Sequence, residues 1–224
     1  MKAPRTSISP GGTGENLLNK ELTAQIHSAA LPAAAATLLR KAVIVLAGSA
    51  FVAGCAHIAL PLYFTPVPLT LQNFAVLALG LLLPPRLAFD TLLAYLVEGA
   101  VGLPVFAPTP VFAGGLAHLL GPTGGYLLVY PLAVALISVL WRSSSRGFVA
   151  AALSAAVGDL VILLSGALWL SVFSHAAPGP IFALGFYPFL PGDALKIVAA
   201  AALAVGVLRL RRRNRSPHLS LHQS

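Results

Sequence analysis

Six apolar segments alternate with short polar or proline-rich connections along most of the chain. A helix that crosses the hydrocarbon core of a membrane needs about 20 apolar residues, within a range of about 17 to 25. The pattern predicts membrane-spanning helices over residues 42–60, 70–83, 87–103, 125–141, 147–172 and 193–209. The second segment is short, so its ends must include Thr70 and the Pro84-Pro85 turn. The expected fold class is therefore an all-α integral membrane protein with six transmembrane helices.

The composition supports a protein whose main solvent is lipid. Hydrophobic residues make up 58% of the 224 residues and charged residues only 9%, against roughly a quarter charged in soluble domains. The single cysteine, Cys55, excludes an internal disulfide and a cysteine-built metal site. The chain has no glycine-rich phosphate loop followed by lysine, so we do not expect it to hydrolyse ATP itself. An enzyme is not expected, and neither is a cofactor.

Basic residues lie almost entirely on one side of the predicted spans. With six spans, every lysine and arginine except Lys196 falls on the side of the two termini. The positive-inside rule therefore predicts cytoplasmic termini. The arginine-rich residues 209–215 directly follow an apolar segment, which is typical of a topology anchor. Nucleic-acid binding is not expected, because no aromatic residues are interleaved with these arginines.

The predicted organisation has three parts. Residues 1–40 form a cytoplasmic, flexible amino-terminal extension, whose alanine-rich residues 29–36 are expected to be disordered or loosely helical. Residues 41–210 form the six-helix membrane domain, and residues 211–224 form a basic cytoplasmic tail.

The predicted external connections differ from the short internal ones. They carry 11 of the 18 prolines, which stiffen a chain that cannot continue as helix. These connections are residues 61–69, 104–124 and 173–192. We expect a structured lid over an outward-facing pocket, with ordinary extracellular loops as the alternative.

One acid and one base near the start of the last span form the main candidate site. A charge at the centre of a membrane costs roughly 2.5–3.5 kcal/mol on insertion scales, so such residues usually face a cavity or a partner. Asp193 and Lys196 are three residues apart and share a helical face. They suit a ligand with N–H groups and a carboxylate. Alternatively, Asp193 caps the helix and Lys196 pairs with it or reaches outward.

Two amides and a tyrosine pair extend this candidate site. Gln72 and Asn73 open the second span, and a side-chain amide both donates and accepts, which suits a urea or amide group. Hydrogen bonds to neighbouring backbone are the alternative. Tyr126 and Tyr130 are four residues apart, with Pro131 expected to bend their helix. They could border a ligand or anchor the helix at the membrane surface.

The remaining acids have weaker claims. Glu98 lies toward the outer end of the third span and could reach the pocket, whereas Asp90 is expected to pair with Arg86. Asp159, inside the fifth span, suits a buried hydrogen-bonded role better than ligand contact. Three outer histidines come from separate segments without metal-ligand spacing, so no metal site is expected. They are His57, His118 and His175.

Five segments, in the same order along the chain, resemble motifs of the BioY family of biotin transport proteins. They are FTPVPLTLQN at residues 64–73, LPPRL at 83–87, GAVGLPVF at 99–106, LLGPTGGYL at 119–127 and PGDALK at 191–196. The fourth is the most specific, and the last matches the family pattern Pro-Gly-Asp-x-x-Lys. Residues 107–111 depart from the family pattern, so we expect the external lid to differ there.

The resemblance implies a six-helix, substrate-binding S component of an energy-coupling factor transporter in the cytoplasmic membrane. Such a component binds biotin from outside and works with a transmembrane coupling protein and a pair of ATPases. Asn73 and Asp193 would hold the ureido ring, Lys196 the carboxylate, and Tyr126 would border the pocket. Gln72, Glu98 and Asp159 are weaker candidates for the substrate site.

Two alternatives to this function are open at the level of sequence. The same scaffold could be specific for another small carboxylate or vitamin. The chain could also be a non-transport membrane anchor or a metal-binding module, which would not depend on Lys196.

Overall fold

The computed structural model describes residues 12–108 and 114–214, and within these ranges it is almost entirely helical. The nine helices there are α1 (Gly12–His57), α2 (Gln72–Leu82), α3 (Pro85–Ala100), α4 (Gly115–Leu119), α5 (Gly124–Leu128), α6 (Tyr130–Ser143), α7 (Phe148–Ser174), α8 (Pro178–Gly185) and α9 (Leu190–Arg213). The all-α architecture agrees with the predicted fold class.

Helix covers most of each of the six predicted apolar segments, but the fourth is divided. Helix α5 ends at Leu128, α6 begins at Tyr130, and Pro131 lies in the first turn of α6. Proline lacks a backbone N–H and is tolerated in a first turn. The expected bend is therefore a break between two helices.

Only part of the predicted membrane topology is visible in the helices themselves. Among the described residues, Ala35–His57 within α1 and Phe148–Ser174 are long and apolar enough to cross a membrane. Helix α2 is apolar but has 11 residues, about 16 Å at 1.5 Å per residue, roughly half the thickness of the hydrocarbon core. The number of spans and the side of the termini stay predictions.

The amino-terminal part of the chain is helical from Gly12. Helix α1 continues without interruption through residues 29–36, for which a disordered or loosely helical segment was expected. The chain divides into two compact units between Val43 and Ile44. Residues 1–11 and 215–224 of the predicted extension and tail lie outside the described residues, and the flexibility of the extension stays a prediction.

In the second unit, glycines let the helices pack closely. Helix α2 packs against α6 and α9, and α7 packs against α5, α6 and α9. A Cβ atom on Gly80 of α2 would lie 2.8 Å from the Ile137 side chain, and one on Gly158 of α7 would lie 2.2 Å from it. Ile137 of α6 therefore fills two glycine notches, and a larger residue at either position would separate the helices.

Each of the three proline-rich connections contains an ordered element. The ends of the first are joined by an antiparallel pair of two-residue strands, β1 (Ala59–Leu60) directly before it and β2 (Leu69–Thr70) at its end. The second contains α4 and the third contains α8. Residues 109–113, which include part of the segment that departs from the family pattern, lie outside the described residues.

Candidate substrate pocket

A pocket of about 530 Å³ lies where α2, α5, α6 and α9 meet the proline-rich connections. Most of its lining is apolar or aromatic, with a few polar groups. The lining residues are Val67, Pro68, Thr70, Gln72, Asn73, Ala107, His118, Thr123, Tyr126, Leu127, Tyr130, Leu163, Phe189 and Lys196. Four of the predicted site residues are among them.

Lys196 and Asp193 form an ion pair in the first turns of α9. The Nζ atom of Lys196 is 2.8 Å from Oδ1 of Asp193, and the two residues are only 8% and 1% exposed. The Asp193 side chain makes no helix-capping hydrogen bond, so the pairing alternative is observed and the capping alternative is not. Its second oxygen, Oδ2, is buried and has no hydrogen-bond partner among the described residues.

Asp193 itself is not among the lining residues, but Lys196, which contacts its Oδ1, lines the pocket, so the unpartnered oxygen belongs to a side chain that touches the lining. A buried acceptor left without a hydrogen bond costs about 1–3 kcal/mol, and more when it is charged. A ligand N–H donor reaching Asp193 through the pocket would remove this cost. The arrangement therefore favours a ligand with N–H groups.

Asn73 is held by side chains from two other helices. Its Nδ2 donates to Oδ1 of Asp159 over 3.2 Å, and its Oδ1 accepts from the Tyr130 hydroxyl over 3.0 Å. These bonds orient the amide, and the Asn73 side chain is also close enough to the Asp193 carboxyl to stabilise its charge. The alternative of a hydrogen bond to neighbouring backbone is not observed. Asp159 does not line the pocket; it supports Asn73 from α7.

Gln72 is oriented in a similar way. Its Nε2 donates to the Tyr95 hydroxyl over 3.0 Å, and that hydroxyl donates to the carbonyl of Val105 over 2.9 Å. The ring of Tyr95 packs edge-on against Phe106 at a centroid distance of 5.4 Å. Gln72 thus links the start of α2 to the second proline-rich connection.

Tyr126 is among the residues that line the pocket. Its hydroxyl donates to the carbonyl of Gly185 in α8. The ring lies on the backbone of α7, where a Cβ atom on Gly166 would be 2.1 Å from it. Because the hydroxyl is already bonded, the ring is the part of Tyr126 available to shape the pocket.

Two other predicted acids are not part of the pocket lining. Glu98 accepts a hydrogen bond from the Ser49 hydroxyl and so joins α3 to α1. The expected pairing of Asp90 with Arg86 is wrong, since both side chains are exposed and they form no ion pair. At an exposed position the pair would gain little in water, which explains its absence.

Sequence reasoning left Tyr130 open and did not assign His118 to the pocket. Tyr130 is buried and fixes Asn73. His118, in α4, stacks on Phe106 at a centroid distance of 5.0 Å. Burial lowers the pKa of its imidazole, which favours the neutral form. For Tyr130, its four-residue spacing from Tyr126 was the signal in the sequence that pointed to the pocket.

The BioY family model matches residues 23–213 of this chain. The chain belongs to the BioY family. This confirms the resemblance identified from the sequence motifs, and it assigns the chain to a family of transporter components, not of enzymes.

Individual relatives agree with the family assignment. The chain is similar to the "Probable biotin transporter BioY" of Pyrococcus horikoshii, with 44% identity over 62% of this chain and 79% of the relative. It is also similar to "Biotin transporter BioY2" of Lactococcus lactis subsp. cremoris, with 32% identity over 77% and 92% of the two chains.

A solved structure shares the fold of this chain. It is the crystal structure of the S-component for biotin from an ECF-type ABC transporter. The TM-score is 0.70 at 26% sequence identity, over 79% of this chain and 93% of the other. The BioY fold therefore extends over most of the described residues.

Proposed function

We propose that this protein binds biotin and is the substrate-specific S component of an ECF-type transporter in the cytoplasmic membrane. The observation that carries the proposal is the buried, unpartnered Oδ2 of Asp193, whose other oxygen pairs with Lys196 in a pocket lined also by Asn73. The names of the BioY relatives and of the matching S-component support the same ligand.

The polar groups of the pocket complement the two ends of biotin. The ureido ring offers N–H donors and a carbonyl acceptor, which suit the Asp193 carboxylate and the side-chain amide of Asn73. Apolar side chains around them suit the bicycle and the aliphatic chain; Leu127, Leu163 and Phe189 are examples. A largely apolar pocket with a few convergent polar groups is the usual form of such a site.

We place the ligand carboxylate at Lys196. Because this ammonium pairs with Asp193, it must turn from Asp193 toward the ligand when biotin binds. Asp193 then has both oxygens available for ligand N–H groups. After the exchange the Lys196 ammonium is paired with the ligand carboxylate, and hydrogen bonds from the neutral ligand N–H groups stabilise the Asp193 carboxylate.

Transport requires partners that supply energy. The chain has no phosphate-binding loop of its own, and the matching solved S-component belongs to an ECF-type ABC transporter. We propose a transmembrane coupling protein and a pair of ATPases as partners, with membrane lipid around six spans and both termini in the cytoplasm. The distribution of basic residues supports this orientation.

Calorimetric titration of the detergent-purified full chain with biotin tests the proposal. The double variant Asp193→Asn, Lys196→Met removes both charges while keeping the side-chain volumes similar, so no buried charge is left unpaired. We expect the parent to bind and the double variant to lose at least about 100-fold in affinity, about 2.8 kcal/mol.

Asp90→Asn is the matched control, because Asp90 is an exposed acid outside the pocket. It should bind biotin as the parent does, and both variants should keep the parent's unfolding temperature within a few degrees. A folded parent that does not bind biotin would contradict the proposed ligand. Unchanged affinity in the double variant would contradict the proposed site.

A further inference from the structure

A second pocket lies at the opposite ends of the helices that line the substrate pocket. Helices α2, α6 and α9 contribute Asn73, Tyr130 and Lys196 to the substrate pocket. Their other ends, together with the connection from α6 to α7, enclose a cleft of about 420 Å³. Its lining includes Leu82 of α2 and Trp141 of α6. We call it the arginine cleft.

Three arginines converge on this cleft from two parts of the chain. Arg142 and Arg146 come from the end of α6 and the connection after it, and Arg211 from the last turn of α9. Arg146 and Arg211 each repel Arg142 electrostatically. Among the residues whose side chains the structure describes, 35–108, 114–177 and 179–214, none of the three forms an ion pair with a carboxylate. The cleft therefore concentrates positive charge that an anion would compensate.

Two of the three guanidinium groups are already positioned. Nε of Arg142 donates to the Ser138 hydroxyl over 3.2 Å, and that hydroxyl donates to the carbonyl of Leu83 over 2.6 Å. The Arg146 guanidinium carbon lies 5.8 Å from the ring centroid of Trp141. A guanidinium has five N–H donors, so the Nη groups of Arg142 remain to bind the paired oxygens of a phosphate.

The surroundings of the cleft favour a lipid headgroup over a soluble molecule as the phosphate-bearing ligand. Val139 and Leu210 lie within one turn of Arg142 and Arg211, and they are 51% and 62% exposed. Exposed apolar side chains near three clustered arginines suit a ligand that has acyl chains beside an anionic group. We propose that the arginine cleft binds the phosphodiester headgroup of an anionic phospholipid, a site distinct from the substrate pocket.

Native mass spectrometry of the full chain in detergent, titrated with phosphatidylglycerol or phosphatidylcholine, tests this inference. We expect the parent to retain phosphatidylglycerol in preference to zwitterionic phosphatidylcholine. Arg142→Gln and Arg211→Gln should each weaken phosphatidylglycerol binding about fivefold, the factor that corresponds to about 1 kcal/mol for each basic residue near the lipid.

Arg209→Gln is the matched control. Arg209 is on the same helix as Arg211 and loses the same charge when replaced, but it is outside the cleft lining. Two residues along a helix correspond to about 200° of rotation, so this variant should change binding by less than about twofold, as expected for a screened charge. Arg211 is exposed, so Arg211→Gln carries the test if Arg142→Gln does not fold.

Three results would overturn the inference. Equal losses in the Arg209 and Arg211 variants would mean diffuse attraction without a site. Equal binding of phosphatidylcholine would exclude recognition of net negative charge. Displacement of phosphatidylglycerol by millimolar inorganic phosphate would assign the cleft to a soluble anion instead of a lipid.

Discussion

At the scale of single residues, the pair of Asp193 and Lys196 is the most informative feature. Removing two charges from water is expensive, and the ion pair recovers only part of that cost. Here the pair is also incomplete, because Oδ2 of Asp193 has no hydrogen-bond partner among the described residues. A purely structural pair would be better satisfied, so the arrangement favours a role in ligand binding.

The placement of the ligand carboxylate can be tested with a neutral analogue. Lys196→Ala leaves the buried Asp193 without its ion-pair partner, which affects both ligands alike. Beyond that shared effect, it should weaken the binding of biotin at least about tenfold more than that of biotin amide, equivalent to 1.4 kcal/mol. The reason is that the amide carries no charge for the ammonium to balance. Calorimetric titration with both ligands gives the comparison.

Asn73→Ala is the control for that experiment, since it should weaken both ligands by the same factor. Equal losses for both ligands in Lys196→Ala would contradict the placement. Lys196 would then act at the ureido end, next to Asp193.

At the scale of elements, the packing of α5 against α7 sets the shape of the pocket. Helix α5 has five residues, too few to be stable in isolation. It is fixed by contacts instead: a Cβ atom on Gly125 would lie 2.1 Å from Cβ of Trp169, and the Tyr126 ring covers Gly166. The glycines therefore position an aromatic wall that the helix alone could not hold.

Gly166→Ala should disturb both stability and binding. The new methyl would overlap the Tyr126 ring, and overpacking of this kind typically costs 1–3 kcal/mol. We expect a lower unfolding temperature and weaker biotin binding, because the ring must move toward the pocket. Thermal unfolding and calorimetric titration would measure the two effects.

Gly206→Ala is the matched control in α9, where a Cβ atom would meet nothing within 4 Å. Alanine is favoured over glycine in a helix by up to about 1 kcal/mol, so this variant should be neutral or stabilised. If Gly166→Ala behaved in the same way, the close packing of Tyr126 on α7 would be contradicted.

At the scale of the whole molecule, two pockets of different character lie at opposite ends of α2, α6 and α9. One is mostly apolar with a buried ion pair, and the other contains three arginines. The predicted topology would place the first pocket toward the outside and the arginines toward the cytoplasm.

Single-cysteine labelling tests that topology. In a Cys55→Ser background, Ser174→Cys at the end of α7 should react with a membrane-impermeant maleimide in intact cells. Ser145→Cys, before the start of α7, should react only after permeabilisation. Both original serines are exposed. The reverse result would invert the proposed orientation, and labelling of both in intact cells would mean that α7 does not span the membrane.

The sequence by itself determined the features that depend on local order. Apolar runs specify helices, because such segments bury their backbone hydrogen bonds internally. The spacing of Asp193 and Lys196 placed the two side chains on one helical face, and ordered motifs identified the family. Pro131 indicated a bend in the fourth segment. It did not indicate that the segment would form two separate helices.

Tertiary structure decided which distant residues meet. Asn73 is oriented by Asp159 and Tyr130, which are 86 and 57 residues away, and nothing in their spacing indicates those bonds. The arginine cleft likewise brings together Arg142 of α6 and Arg211 of α9, which are far apart in the sequence. These contacts depend on how the helices pack against one another at glycines and at short breaks. Helical periodicity in the sequence carries no information about contacts between helices.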